Sequence, residues 1–327
     1  MKYILFSSLI VVLFTACSGK KYYEPEDISS NIELNKKSMP TSIKSMNRIG
    51  ATLKNNQTIT KEGVSQNKLP EGFEFINFSE NGEVIATNYV DKILIGNRTK
   101  VVNDVVVAAS KQDDKLALLY SNNTIELIDE SSSKTLFKEY LALSLANDTR
   151  IANPVFMGSL ILFPTLNGKV IVVSLVTNEA VRNIAVDLDN EFNNIINLEV
   201  DQKSESLIIA SANKLVSVSA REVSSKDYEI RDVIVRNGYV YIATVDGYII
   251  KLNTKLEELA KRKYKYAKFH TLAYGGSLYA LEGQGFLINI NDDFTSDNVY
   301  KFSFDNEKRV IAIDNKIYFN SSYITLP

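Results

Sequence analysis

The 327-residue chain has no Trp, one Cys and one His. A single Cys rules out an internal disulfide and any metal centre built from several thiolates. A single His rules out a multi-histidine metal site. Lys and Arg number 37 against 39 Asp and Glu, a net charge of −2, so no global basic field recruits nucleic acid. Beyond one N-terminal run, no apolar stretch approaches the roughly 20 residues of a membrane-spanning helix. What remains, 45% hydrophobic and 23% charged residues, is the composition of a globular protein.

The N-terminal run has a definite grammar. Lys2 and Tyr3 precede the apolar and small residues Ile4 to Phe14, followed by Thr15, Ala16 and Cys17. A positive start, a short apolar core and small residues at its end are the marks of a secretory signal. Phe14-Thr15-Ala16-Cys17 resembles the bacterial lipobox, with Phe14 standing where Leu is usual. The resemblance implies cleavage before Cys17 and its acylation, palmitate included. Several acyl chains anchor stably where one binds only marginally. Ser18 stands where an inner-membrane retention signal places Asp. By likeness to lipoprotein sorting, that implies an outer-membrane anchor facing the periplasm. The expected division is a lipoprotein signal peptide over 1–16, a lipidated Cys and flexible tether over 17–45, and a folded domain over 46–327. About 28 flexible residues would reach roughly 30 Å.

The rest of the chain repeats itself. A β-branched or aromatic run, a short polar turn and a second such run recur eight times. Good copies are LILFPTLNGKVIVVS from Leu160 and YVYIATVDGYIIKLN from Tyr239. Turns centred near Asn56, Val90, Asn122, Asn167, Asn213, Asp246, Gln284 and Ser321 are spaced by 34, 32, 45, 46, 33, 38 and 37 residues. Asn167-Gly168 and Asp246-Gly247 read as two-residue type I′ turns. The nearly continuous apolar runs suit strands covered on both faces. A period of about 40 with four short strands per unit describes a β-propeller blade. The expected fold is all-β, an eight-bladed propeller of four-stranded antiparallel sheets, or seven if a terminal hairpin shares a blade. Because the chain ends on a hairpin, the last blade needs an outer strand from elsewhere. Residues 30–45 are the expected source.

PVFMGSLILFPTLNGKVIVVSLVTNEAV from Pro154 and VIVRNGYVYIATVDGYIIKLNTKLEEL from Val233 resemble the PQQ-type propeller repeat. With the leader and tether, residues 46–327 resemble the BamB-like family of outer-membrane assembly lipoproteins. The repeat's usual closing Trp is missing, and Tyr and Phe, at 17 and 15 copies, are expected to take its place. The resemblance implies a non-catalytic scaffold without a cofactor, with the outer-membrane barrel-assembly machinery as its partner. No partner-binding residue can be carried over from that family.

Candidate chemistry is thin. His270 ends the cationic and aromatic stretch Lys261-Arg262-Lys263-Tyr264-Lys265-Tyr266-Ala267-Lys268-Phe269-His270. It is either a general base or a polar residue on an outer strand or loop, and the second is the expected one. The cations read as a solvated blade edge that discourages edge pairing, with lipid phosphates or an acidic partner as the alternative. Carboxylates gather at Asp187, Asp189 and Glu191 and at Asp292 and Asp293, but neither group has the calcium-loop pattern. Solvated loops are expected at both. No nucleophile elbow occurs, and the missing Trp counts against a quinoprotein dehydrogenase. Two other readings stay open: a periplasmic propeller that binds a small ligand or is an enzyme, and a surface adhesive lipoprotein. A convergent set of polar side chains on the ring axis would favour the former.

Overall fold

Hairpins set the architecture. The computed structural model describes residues 21–30, 32–144 and 147–327, and among them are 32 strands and no helix. The first strand, β1 (Asn35–Ser38), belongs to the last sheet. Blade 1 is β2 (Ile43–Met46), β3 (Ala51–Leu53), β4 (Gln57–Thr60) and β5 (Gly63–Lys68). Blade 2 is β6 (Glu74–Phe78), β7 (Val84–Thr87), β8 (Lys92–Ile95) and β9 (Arg98–Val101). Blade 3 is β10 (Val106–Gln112), β11 (Lys115–Tyr120), β12 (Thr124–Asp129) and β13 (Lys134–Tyr140). Blade 4 is β14 (Val155–Met157), β15 (Leu160–Pro164), β16 (Lys169–Ser174) and β17 (Ala180–Ala185). Blade 5 is β18 (Asn197–Asp201), β19 (Ser206–Ala210), β20 (Lys214–Val218) and β21 (Val223–Asp227). Blade 6 is β22 (Ile230–Arg236), β23 (Tyr239–Thr244), β24 (Tyr248–Asn253) and β25 (Glu258–Lys263). Blade 7 is β26 (Phe269–Gly275), β27 (Ser277–Glu282), β28 (Phe286–Ile290) and β29 (Asp297–Lys301). Blade 8 is β30 (Val310–Ile313), β31 (Lys316–Phe319) and β32 (Ser322–Thr325), completed by β1.

The chain is thus an all-β propeller of eight four-stranded antiparallel sheets. All eight hairpin turns read from the sequence lie between the second and third strands of their blades. The ring is closed by β1 against β32, from Asn35 opposite Thr325 to Ser38 opposite Ser322. Turns between first and second, and third and fourth, strands open on one face, here the lower. Turns between second and third strands, with the connections between blades, form the upper face.

Apolar clusters join successive blades. Ile242 and Leu252 of blade 6 pack with Ile208 and Leu215 of blade 5, and Tyr318 of blade 8 with Leu53 and Ile59 of blade 1. Tyr120, Tyr241, Tyr318 and Phe163 are among the largest fully buried side chains. Tyr241 stacks on Phe294 across the junction of blades 6 and 7, at 6.3 Å between centroids. Tyr and Phe therefore supply inter-blade packing that needs no indole.

Two sequence expectations change. The Asn167-Gly168 and Asp246-Gly247 loops are not two-residue type I′ turns: they are loops of four and three residues, in each of which only the Gly, at φ 79° and 89°, is left-handed. The reason is a local side-chain cap. Thr165 Oγ1 accepts the Lys169 N–H at 2.9 Å, and Thr244 Oγ1 accepts the Tyr248 N–H at 2.9 Å, in place of a tighter backbone turn. Paired left-handed residues occur instead at Asn237 and Gly238, φ 57° and 80°, between β22 and β23. The stretch read as a tether is laid along the ring from Lys21 onward. Tyr23 is buried against Tyr264 and Phe286 at 6.0 and 5.6 Å. The Ser29 N–H then bonds the Val299 carbonyl of β29 at 2.8 Å, and β1 and β2 follow. Aromatic burial and edge pairing at β29 and β32 account for the docking.

Candidate functional site

The inner strands of the blades surround a channel of about 1050 Å³ on the ring axis. Their shape is irregular in a repeated way. In blades 1, 2, 3, 6 and 7 the register against the second strand slips, leaving Lys44, Ile76, Val107, Arg231 and His270 as the extra residue. A bulge bends its strand and re-aims the next side chain. In blades 2, 6 and 7 that next side chain, Asn77, Asp232 or Thr271, stitches one blade to its neighbour. Asn77 donates to the Ala109 carbonyl and to Ser110 Oγ, both at 2.7 Å. Asp232 accepts the Leu272 N–H at 2.7 Å and the Thr271 hydroxyl at 3.1 Å.

Arginines then span the axis. Arg48, from the first turn of blade 1, reaches Asp232 of blade 6 at 2.9 Å and also donates to the Val233 carbonyl. From the connection between blades 3 and 4, Arg150 donates to the Arg231 carbonyl at 2.7 Å and pairs with Asp148. Burial opposes ionisation of Asp148, but the hydrogen bonds and charge of Arg150 prevail and hold its carboxyl below the usual range. Arg236 bridges Glu199 of blade 5 at 3.6 Å and Asp314 after β30 at 2.9 Å. Burial pushes the Glu199 carboxyl up, with Arg236 and Arg48 opposing.

Polar side chains therefore do converge on the axis, and most are engaged with one another. His270 is not on an outer strand or loop: it sits on the inner strand β26 and lines the channel. Its ring packs edge-on against Phe304 at 5.4 Å. Burial and the nearby Arg231 charge push its pKa down.

The other candidates are placed as follows. Cys17 lies outside the described residues. The cationic stretch is the outer strand β25 and the connection after it, with Lys261, Lys263, Lys265 and Lys268 exposed. Lys263 lies 3.9 Å over the Tyr248 ring, while Arg262 turns inward to Asp297 at 2.5 Å. Asp187 is no solvated loop residue. It is buried and accepts Ser211 Oγ at 2.6 Å and Asn190 Nδ2 at 2.8 Å, tying blade 4's exit to blade 5. Asp293 accepts from Thr295 within its own turn. Among the described residues no three His, Cys, Asp or Glu side chains gather to hold a metal ion. Arg48, Arg150 and Asp232 escaped the sequence reading because partners 184 and 81 residues apart carry no local spacing signal.

The class that the fold defines is an eight-bladed β-propeller with a polar axis and turns on two broad faces. No family model matches the chain. Curated relatives from two Helicobacter pylori strains, each named plasminogen-binding protein PgbB, are 27% identical over 97% of this chain and cover 70% and 69% of their own length. BamB from Moraxella catarrhalis has the same fold, with a TM-score of 0.66 at 13% identity over 89% of this chain and 99% of that one. The C-terminal WD40 domain of Sif2 follows at 0.63 and 12%, over 90% and 98% of the two chains. The fold is thus BamB-like.

Proposed function

We propose that the chain is a non-catalytic, lipid-anchored scaffold of the outer membrane that binds protein partners through its propeller. The carrying observation is 27% identity, along 97% of the chain, to relatives named for binding a protein. Two features support that reading. The axial arginines are held by internal carboxylates and carbonyls, as in a braced ring rather than a reaction centre. Loops from all eight blades also present rigid, extended surfaces. Within that role we assign an accessory function in outer-membrane β-barrel assembly, supported by the lipobox-like leader and the BamB-like fold. Affinity capture from crosslinked envelopes tests it. Recovery of a barrel-assembly subunit is expected, and recovery of none sinks this assignment.

The relatives' name favours a second reading, a surface adhesive lipoprotein that binds plasminogen. Protease treatment of intact cells separates the two. A periplasm-facing chain survives it, whereas a surface-displayed one is cut and binds plasminogen before cutting.

A further inference from the structure

We infer that the upper face of the propeller lies against the bilayer, leaving the lower face for protein partners. The inference rests on the anchoring reading above and adds an orientation to it.

Two independent observations carry it. The first is where the N-terminal segment meets the ring. Lys21 lies 5.5 Å over the Tyr266 ring, in the upper-face connection between blades 6 and 7. Only three residues lie between Cys17 and Lys21, so four residue-to-residue steps join them. Four residues of chain span at most about 14 Å. A six-residue strand such as β23 puts the two faces roughly 20 Å apart. An acylated Cys17 therefore cannot bring the lower face down onto the membrane.

The second observation is the distribution of exposed aromatic side chains. Five are exposed among the described residues: Tyr22, Tyr89, Tyr140, Phe192 and Tyr266 at 51, 45, 76, 48 and 39%. All five are on the upper face. Tyr89 is in a second-to-third turn, Tyr140 ends β13, Phe192 and Tyr266 are in inter-blade connections, and Tyr22 follows Lys21. They are spread from blade 2 to blade 7, which distinguishes a face-on contact from an edge-on one. Amphipathic rings at one level suit the headgroup region of a bilayer. Exposed Lys265 lies with Lys21 over the Tyr266 ring, exposed Lys268 follows in the same connection, and these cations suit its phosphates.

The chain's lack of Trp makes the test clean. Single substitutions Tyr140→Trp, Phe192→Trp and Tyr266→Trp probe the upper face, and Val176→Trp and Val223→Trp the lower. Each full-length acylated protein is placed in vesicles of phosphatidylethanolamine and phosphatidylglycerol carrying brominated acyl chains. Upper-face Trp emission is expected to shift to the blue and fall roughly twofold, because interfacial groups sit only about 5–10 Å into the headgroup boundary. Lower-face Trp is expected to stay unquenched. Mass spectrometry of the mature N-terminus keeps the two failures apart. An unacylated Cys17 overturns the anchoring and the orientation together. Acylated protein with an unquenched upper face, or one shielded only when envelope protein is added, overturns the orientation alone.

Discussion

Asp232 shows how much one side chain can hold in the inner ring. Its carboxylate takes Arg48 from blade 1, the Val233 N–H of its own strand at 2.9 Å and the Leu272 N–H of blade 7. Replacing it with Ala leaves the half-buried Arg48 guanidinium without its carboxylate, with the Val233 carbonyl remaining, and takes this acceptor from two strand amides. Asp232→Ala is expected to lower stability by about 3–5 kcal/mol in urea unfolding. A cost under about 1 kcal/mol would mean that water replaces the carboxylate. His270 offers a pH readout at the same scale. Burial and Arg231 depress its folded pKa, so the folded state resists a proton that the unfolded chain accepts. The resulting stability is complete above about pH 6.5 and is lost as the pH falls from there through the lowered folded value. Glu199 and Glu282, whose carboxyls burial raises, lose stability in the opposite direction, as the pH rises. Comparison with His270→Gln isolates the imidazole. The wild-type urea midpoint should fall more than the variant's between about pH 7.5 and about pH 5, and parallel falls would contradict this.

Elements were legible where the physics was local. Turn residues between apolar runs marked all eight hairpins, because strand and turn preferences act within a few residues. Turn type was less legible. Thr165 and Thr244 cap their loops from two residues before Asn167 and Asp246, which overrides the dipeptide rule. Gly168 tests the resulting geometry: at φ 79°, a Cβ there would meet the Asp187 carbonyl. Gly158, at φ 58°, faces open space. Gly168→Ala should cost about 3 kcal/mol and Gly158→Ala about 1 kcal/mol by thermal or urea unfolding. Equal costs would mean that the Asp187 connection yields. The inner-strand bulges left no trace in the hydrophobic pattern, since one extra residue in a buried run does not disturb it.

At the scale of the whole molecule, the ring depends on a strand from the far end of the sequence. Ile32 and Leu34, leading into β1, pack on the cluster of Ile324, Leu326 and Phe319. Removing residues 32–38 should expose the β32 edge and cost about 3 kcal/mol from these side chains alone. Earlier proteolysis of blade 8 should accompany it. An unchanged midpoint would show that closure does not rely on β1. Channel chemistry was not legible for the same topological reason: Arg48 and Asp232 meet only once the ring has closed. The scarcity of His and Cys pointed away from a metal centre but could not reveal a braced polar axis.

The proposal that this propeller works by holding proteins is tested most directly by site-specific photo-crosslinking in the living envelope. A crosslinker is placed in turn at Ile49 and Asp314 on the lower face and at Tyr140 and Phe192 on the upper. Discrete protein adducts are expected from the lower-face positions, with lipid or no adduct from the upper. No protein adduct from any position would contradict the scaffold role itself.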